Sequence, residues 1–168
     1  MRLIFLDIDG VLNDHTKLAS GYCGIQQPQV EQFNRILDAV PDAMIVVSSA
    51  WRYMTFRGDM TLKGFEYLLL VHGVKAHERV YAVTETDGAI EQEPDHFDAD
   101  AWRVAGLRCR NQQIRRVVNE NRMRLQGYVV LDDLPLSVPN FVQCEGTIGL
   151  RSGDADRAIE ILLTSPPE

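Results

Sequence analysis

The 168-residue chain lacks the features that mark several special classes of protein. No apolar run approaches the roughly 18 residues that a membrane-spanning helix requires. The apolar run before Asp7, Leu3–Leu6, has only four residues, which is too short for the apolar part of a signal peptide. The three cysteines, Cys23, Cys109 and Cys144, are widely spaced and form no CxxC pair, so we predict reduced thiols rather than a disulfide framework or a zinc site. We therefore expect a cytoplasmic protein with no membrane partner.

Positive charge is also scarce over the chain as a whole. With 17 basic and 24 acidic residues, the net charge is −7, which disfavours general affinity for nucleic acid. The charge is nevertheless segregated, because seven acidic residues lie between positions 85 and 100 and seven arginines follow them. This arginine cluster consists of Arg103, Arg108, Arg110, Arg115, Arg116, Arg122 and Arg124. It either contacts the backbone at a nucleic-acid end or forms a solvated helix face that pairs with the acidic segment.

Short apolar runs alternate with helical patterns, which predicts an α/β fold in one domain over residues 1–168. Continuous runs rich in β-branched or aromatic residues are typical of parallel strands that helices cover on both faces. The strong runs are 3–6, 44–47 and 128–131, and the weaker ones are 80–83 and 141–144. Helical spacing follows Pro28 up to Pro41, follows Thr61 up to Gly73, covers about residues 110–124, and starts again at Asp154. We expect a three-layer, Rossmann-like parallel sheet.

Polar residues follow three of these predicted strands, and ligands of such sheets bind beyond the carboxyl ends of the strands. Asp7, Asp9 and Gly10 follow the first run. Two close carboxylates repel each other unless a cation or a proton lies between them, and hard oxygen ligands favour Mg²⁺. The alternative is an ordinary turn, since Asp and Gly are common turn residues.

The second and third strong runs end in residues that suit a phosphate and a metal. Ser48, Ser49 and Arg52 follow the second run; hydroxyls, backbone amides and a guanidinium can hold phosphate oxygens, although a helix N-cap explains the serines equally well. Asp132 and Asp133 follow the third, where either a metal or a solvated loop accounts for them. The coincidence of all three motifs at equivalent strand ends favours a phosphate site with a divalent cation.

The order of these motifs resembles the haloacid dehalogenase-like (HAD) superfamily of aspartate-dependent phosphotransferases. The first motif matches Leu6–Asn13, the second Ile45–Ser48 and the fourth Val129–Asp133. The pattern GVLN, VVSSAWR and LDD is most similar to a small, capless branch that includes the HAD domain of RNA-repair proteins. The resemblance implies a HAD-like sheet without a large cap domain, a flap over residues 12–27, and a loop-rich insertion over residues 85–108.

The resemblance also implies a role for each residue of the site. Asp7 would attack phosphorus, and Asp9 would serve as general acid and base. Mg²⁺ would bind the Asp7 carboxylate, the Asp9 backbone carbonyl and the acidic pair, with Asp133 favoured over Asp132 as the direct ligand. The phosphate would bind Ser48, Ser49, Arg52 and the basic residue of the third motif. That basic residue is Arg110, with Arg108 and Arg115 as alternatives.

These inferences predict a Mg²⁺-dependent phosphomonoester hydrolase that acts through an aspartyl-phosphate on a phosphorylated substrate of unknown class. One alternative is a polynucleotide 3′-phosphatase of a nucleic-acid repair system, which depends on the arginine cluster. The other is a non-catalytic module that binds phosphate ends or proteins on the same fold.

Overall fold

The computed structural model describes residues 1–15, 24–56, 58–84 and 99–164, with the backbone alone described for residues 53, 56 and 99–108. At its centre is a five-stranded sheet in the order β3-β2-β1-β4-β5, and all paired strands run parallel. The strands are β1 (Arg2–Leu6), β2 (Ala43–Val47), β3 (Val80–Val83), β4 (Gly127–Asp132) and β5 (Phe141–Gln143). This arrangement confirms the predicted parallel α/β sheet.

Helices cover both faces of this sheet. They are α1 (Gln27–Ala39), α2 (Tyr53–Phe56), α3 (Leu62–Val71), α4 (Ala99–Asn121) and α5 (Ser152–Thr164), and a 3₁₀ turn spans Ala50–Arg52. Alternate residues of β1 point to opposite sides: Ile4 and Leu6 pack with α1, α3 and α5, whereas Leu3 and Phe5 pack with α4. The central strands β1, β2 and β4 are therefore buried on both faces, which explains why they read as continuous apolar runs.

Helix α4 corrects one of the sequence predictions. It begins at Ala99 and ends at Asn121, not at about 110 and 124, so residues 99–108 are helical and the prediction of a loop-rich insertion is wrong for them. Alanine, leucine and arginine in this stretch favour a helix intrinsically, although apolar periodicity does not mark it. Residues 85–98 and residues 16–23 of the predicted flap lie outside the described part of the chain.

The register of the central strands brings their carboxyl ends to one edge of the sheet. Leu6 lies opposite both Val47 and Leu131, so the residues that follow these three strands emerge side by side. The Asp7 amide still donates to the Leu131 carbonyl at 3.0 Å, and the Ser48 amide donates to the Leu6 carbonyl at 2.8 Å. Within the described ranges, no helix has both the length and the apolar character needed to span a membrane.

Candidate active site

Three carboxylates and one guanidinium form the charged centre of this edge. Asp7, Asp132 and Asp133 each offer an oxygen, and these oxygens lie within 4.8 Å of one another. Arg110, from α4, donates from Nη1 to Asp7 Oδ2 at 2.5 Å and to Asp132 Oδ2 at 2.7 Å. Asp7 is 4% exposed and Asp132 is fully buried. Among the described residues, one guanidinium therefore faces three acidic groups in a site that is largely shielded from water.

This imbalance changes the protonation of the cluster. Burial raises the pKa of Asp7, although Arg110 and a hydrogen-bonding interaction with Ser49 oppose the rise. Burial and the neighbouring Asp7 charge together raise the pKa of Asp132 to about 7, against the opposing effect of Arg110. The two carboxylates raise the pKa of the Arg110 guanidinium, which stays charged. Without a further cation, protons therefore persist on the carboxylates well above the usual pKa of aspartate.

The acidic pair after β4 divides into a fixed and a more accessible carboxylate. Both Asp132 oxygens accept hydrogen bonds, Oδ2 from Arg110 and Oδ1 from the Leu134 amide at 2.9 Å. Asp133 is only half-buried, and its Oδ2 lies 3.0 Å from His15 Nε2. Asp133 is thus the less constrained of the two carboxylates, and its role as the direct metal ligand stays a prediction.

Two glycines leave the space in which Asp133 and His15 meet. A Cβ on Gly10 would lie 2.6 Å from His15 Nε2 and 2.7 Å from Asp133 Oδ2, and one on Gly146 would lie 2.9 Å and 2.8 Å from the same atoms. Gly10 also has a φ of +74°, which residues with a side chain rarely adopt. A glycine is therefore required directly after Asp9, both by the backbone conformation and by the lack of space for a Cβ atom.

Asp9 lies outside the charged cluster and is held by two neutral donors. Trp51 donates from Nε1 to Asp9 Oδ2 at 2.9 Å. Asn13 donates from Nδ2 to Asp9 Oδ1 at 3.0 Å, and the Asn13 Oδ1 atom accepts from the Gly10 amide at 2.9 Å. Each Asp9 oxygen keeps a second lone pair, so the carboxyl group is oriented while it can still exchange a proton.

The strand ends next to Asp7 carry polar atoms with unused bonding capacity. Ser48 Oγ is buried and has no hydrogen-bond partner among the described residues, and the same holds for Thr84 Oγ1 at the end of β3. Thr84 adjoins the site because its amide donates to the Val47 carbonyl at 3.0 Å. Buried hydroxyls without partners are costly, and a phosphate oxygen would satisfy Ser48. Arg52 is buried and donates to the Ser49 carbonyl at 2.8 Å, so its predicted contact with phosphate stays a prediction.

The residues present fit a divalent cation of the Mg²⁺ type. The donors are hard carboxylate oxygens that lie close enough to share one ion, and burial together with the Asp7 charge raises the pKa of Asp132, so its ionised form needs additional positive charge. The charge of a cation would relieve the same repulsion that the protons relieve. The Asp9 carboxylate is engaged elsewhere, so only its backbone carbonyl remains as a predicted ligand.

The structure shows the side chains of two of the three arginines predicted for the third motif. Arg110 reaches the site, whereas Arg115 is exposed and donates to the Ser137 carbonyl at 2.9 Å; the side chain of Arg108 lies outside the described part. The arginine cluster is not one surface, since Arg110 is buried while Arg116 pairs with Glu120 along α4 at 3.0 Å. Arg122 and Arg124 are exposed beyond the end of α4.

Sequence reasoning missed three residues of the site. Thr84 follows an apolar run, as Asp7 and Ser48 do, and that position was the signal for it. No comparable signal links Trp51 to Asp9, because that contact joins the loops after β1 and β2. Asn13 lies within the first motif, four residues after Asp9, and its contact depends on the turn that the loop after β1 forms.

The fold and the site together define the class of the protein. A parallel sheet that carries Asp7 and Asp9 after its central strand and an acidic pair after the adjacent strand has the architecture of the HAD superfamily, with no cap domain among the described residues. The family model of the HAD domain in Swiss Army Knife RNA repair proteins matches residues 3–155, and the chain belongs to this family. Neither a curated protein nor a solved structure matches the chain.

Proposed function

We propose that the protein is a Mg²⁺-dependent phosphomonoester hydrolase that acts through an aspartyl-phosphate. The observation that carries this proposal is that Asp7 and Asp9, which both follow β1, have different surroundings. Asp7 lies in the charged cluster with Arg110, where it can meet a phosphate group, and Asp9 lies beside it on neutral donors. Membership of the HAD family supports the same chemistry.

The reaction would proceed in two displacements. An Asp7 oxygen attacks phosphorus while the bond to the leaving oxygen breaks, and Asp9 donates a proton to that oxygen. Asp9 then takes a proton from water, the water oxygen attacks the aspartyl-phosphate, and the bond from Asp7 to phosphorus breaks. Asp7, Asp133 and the Asp9 carbonyl would hold Mg²⁺, whose charge would keep Asp7 ionised and offset the charge of the phosphate. Arg110 and the Ser48 hydroxyl would bind phosphate oxygens.

Release of phosphate from p-nitrophenyl phosphate tests this proposal. We expect turnover that requires Mg²⁺ and is abolished in Asp7→Asn, because an amide cannot form the acyl-phosphate. Asp38→Asn is a matched control, since Asp38 is an exposed partner of Lys75 on α1. Acid quenching during turnover, followed by mass spectrometry, should find a phosphoryl adduct on the peptide that contains Asp7.

The same experiment separates the enzyme from a binding module. A module would bind phosphate or a phosphorylated end, show no release with any ester of a broad panel, and form no adduct at Asp7. That outcome would overturn the hydrolase. We also propose a cytoplasmic location, because the wide spacing of the three cysteines disfavours a disulfide framework.

A polynucleotide 3′-phosphatase is the second candidate, and the description of the family favours it. The exposed arginines of α4 and the turn after it, Arg115, Arg116, Arg122 and Arg124, would contact the nucleic-acid backbone. Replacing all four with glutamine should lower kcat/KM for a 3′-phosphorylated oligonucleotide and flatten its salt dependence. Turnover of p-nitrophenyl phosphate should persist, whereas Arg110→Ala should impair both substrates. Equal, small effects of the four changes on both substrates would leave these arginines as a solvated face.

A further inference from the structure

An apolar cleft lies beside the proposed active site and has no part in the chemistry described above. Ala50, Trp51, Met54, Met60 and Leu68 line it, and its volume is about 390 Å³. It lies between the 3₁₀ turn after β2 and helix α3. Sites for small molecules commonly begin at about 300 Å³, so the cleft can accommodate a ring system.

The cleft is connected to the reaction through one side chain. Trp51 lines the cleft and also donates from its indole nitrogen to Asp9 Oδ2 at 2.9 Å. Asp9 and the cleft are thus separated by no more than a single indole. Asp9 is the group that protonates the leaving oxygen under the proposed function, so whatever is attached to that oxygen emerges on this side of the site.

We infer that the cleft binds a planar aromatic or heteroaromatic ring carried by the leaving alcohol of the substrate. This inference rests on the proposed function and adds to it the class of the leaving group. Indoles attract flat rings by stacking, and methionine sulfur makes favourable contacts with aromatic edges. None of the described residues that line the cleft is charged, so they offer no partner to a second phosphate or an ammonium group.

A series of three phosphate esters with alcohols of similar acidity tests the inference. The esters are 2-naphthylmethyl, cyclohexylmethyl and ethyl phosphate, which present an aromatic ring, a saturated ring and no ring. We expect kcat/KM to be about 10- to 100-fold higher for the naphthylmethyl than for the ethyl ester, the range that stacking of one ring provides. The cyclohexylmethyl ester should fall between them.

Variants of the cleft show whether that preference arises there. Ala50 is exposed, so Ala50→Leu can fill the cleft without disturbing the core, and Met54→Gln makes it polar at nearly constant size. Both should reduce the naphthylmethyl preference to a few-fold. Leu62→Gln is the matched control, because Leu62 is exposed on α3 and does not line the cleft; it should keep the wild-type preference. Thermal unfolding of each variant verifies that it folds.

The outcomes separate this inference from the function on which it rests. Turnover of all three esters without preference, or a preference that survives both cleft variants, would overturn the ring subsite and leave the hydrolase intact. No turnover of any ester would instead contradict the hydrolase itself.

Two sources of such a ring are distinguished by thymidine 3′-phosphate and its abasic counterpart, which have the same leaving oxygen. A preference for the base-containing ester that Ala50→Leu removes assigns the ring to a nucleobase. An aromatic preference confined to the naphthylmethyl ester assigns it to a smaller aryl alcohol.

Discussion

Removal of Mg²⁺ should destabilise the protein, and the effect should grow as the pH rises. In the metal-free protein, burial and Asp7 raise the pKa of Asp132 from 3.8 to about 7. The folded state therefore holds a proton that the unfolded state has already released between these two values. The contribution of Asp132 to the free energy of unfolding is fully present below about pH 4 and is lost as the pH rises towards about 7. Bound Mg²⁺ would supply positive charge in place of the proton, so the stability of the Mg²⁺-bound protein should not fall in this way.

The size of the effect follows from the pKa of Asp132. Between about pH 5 and about pH 7 the metal-free protein loses the equivalent of about two pKa units, or ~3 kcal/mol at ~1.4 kcal/mol per unit. For a chain of this length, 1 kcal/mol corresponds to about 2–4 °C in Tm. The shift in Tm that saturating Mg²⁺ produces should therefore be larger at about pH 8 than at about pH 5 by about 8 °C.

Thermal unfolding followed by circular dichroism, in millimolar Mg²⁺ or in chelator, measures this difference at each pH. Other groups titrate equally in both conditions, so the comparison isolates the cluster. Asp132→Asn should remove much of the pH dependence, whereas Asp42→Asn, in an exposed pair with Arg2, should not. A Mg²⁺ shift that is constant with pH, or larger in acid, would refute the reasoning.

Three further changes test the roles of single residues. Asp9→Asn should lower kcat by about 10²–10⁴-fold while Mg²⁺ still raises Tm, and a near-normal kcat would remove Asp9 as the acid and base. Asp133→Ala should erase most of the Mg²⁺-dependent rise in Tm and Asp132→Ala less of it; the reverse order, measured by the same unfolding, would make Asp132 the direct ligand. Trp51→Phe keeps a ring but removes a hydrogen bond to a charged group, worth ~1.5–3 kcal/mol, so kcat should fall about 10- to 100-fold with little change in KM. In an Asp9→Asn background, Trp51→Phe should have little further effect on kcat. If Trp51 had only a structural role, its replacement would lower kcat in that background as well.

The fold and the charged half of the site follow from local sequence. Strands such as β1 and β4 are covered on both faces, so their apolar runs are continuous and their ends are sharply marked. Parallel register then places whatever follows Leu6, Val47 and Leu131 at one edge, and the types of residue at those positions suffice to predict a cation and a phosphate.

The remainder depends on contacts that no local pattern encodes. Apolar spacing does not mark the start of helix α4, which depends instead on the intrinsic helix propensity of its residues. The sequence leaves three arginines for the basic residue of the third motif, because it does not show which face of α4 lies towards the strand ends. The structure shows that Arg110 lies on that face. The contact of Trp51 with Asp9 joins two loops across 42 residues of sequence, and the chain must fold before it exists.

The two carboxylates of β1 show how one local motif yields two chemical environments. Asp7 and Asp9 are the same residue type, two positions apart, and both follow the same strand. Asp7 contacts Arg110 and lies close to two further carboxylates. In this surplus of negative charge, a bound cation would favour the ionised form of Asp7. Asp9 meets an indole and an amide, which orient it without competing for a metal. Different surroundings can assign different roles to paired carboxylates, and here the difference arises because Trp51 comes from the loop after β2 and Arg110 from α4. The loop after β2 therefore sets the environment of Asp9, and helix α4 sets that of Asp7.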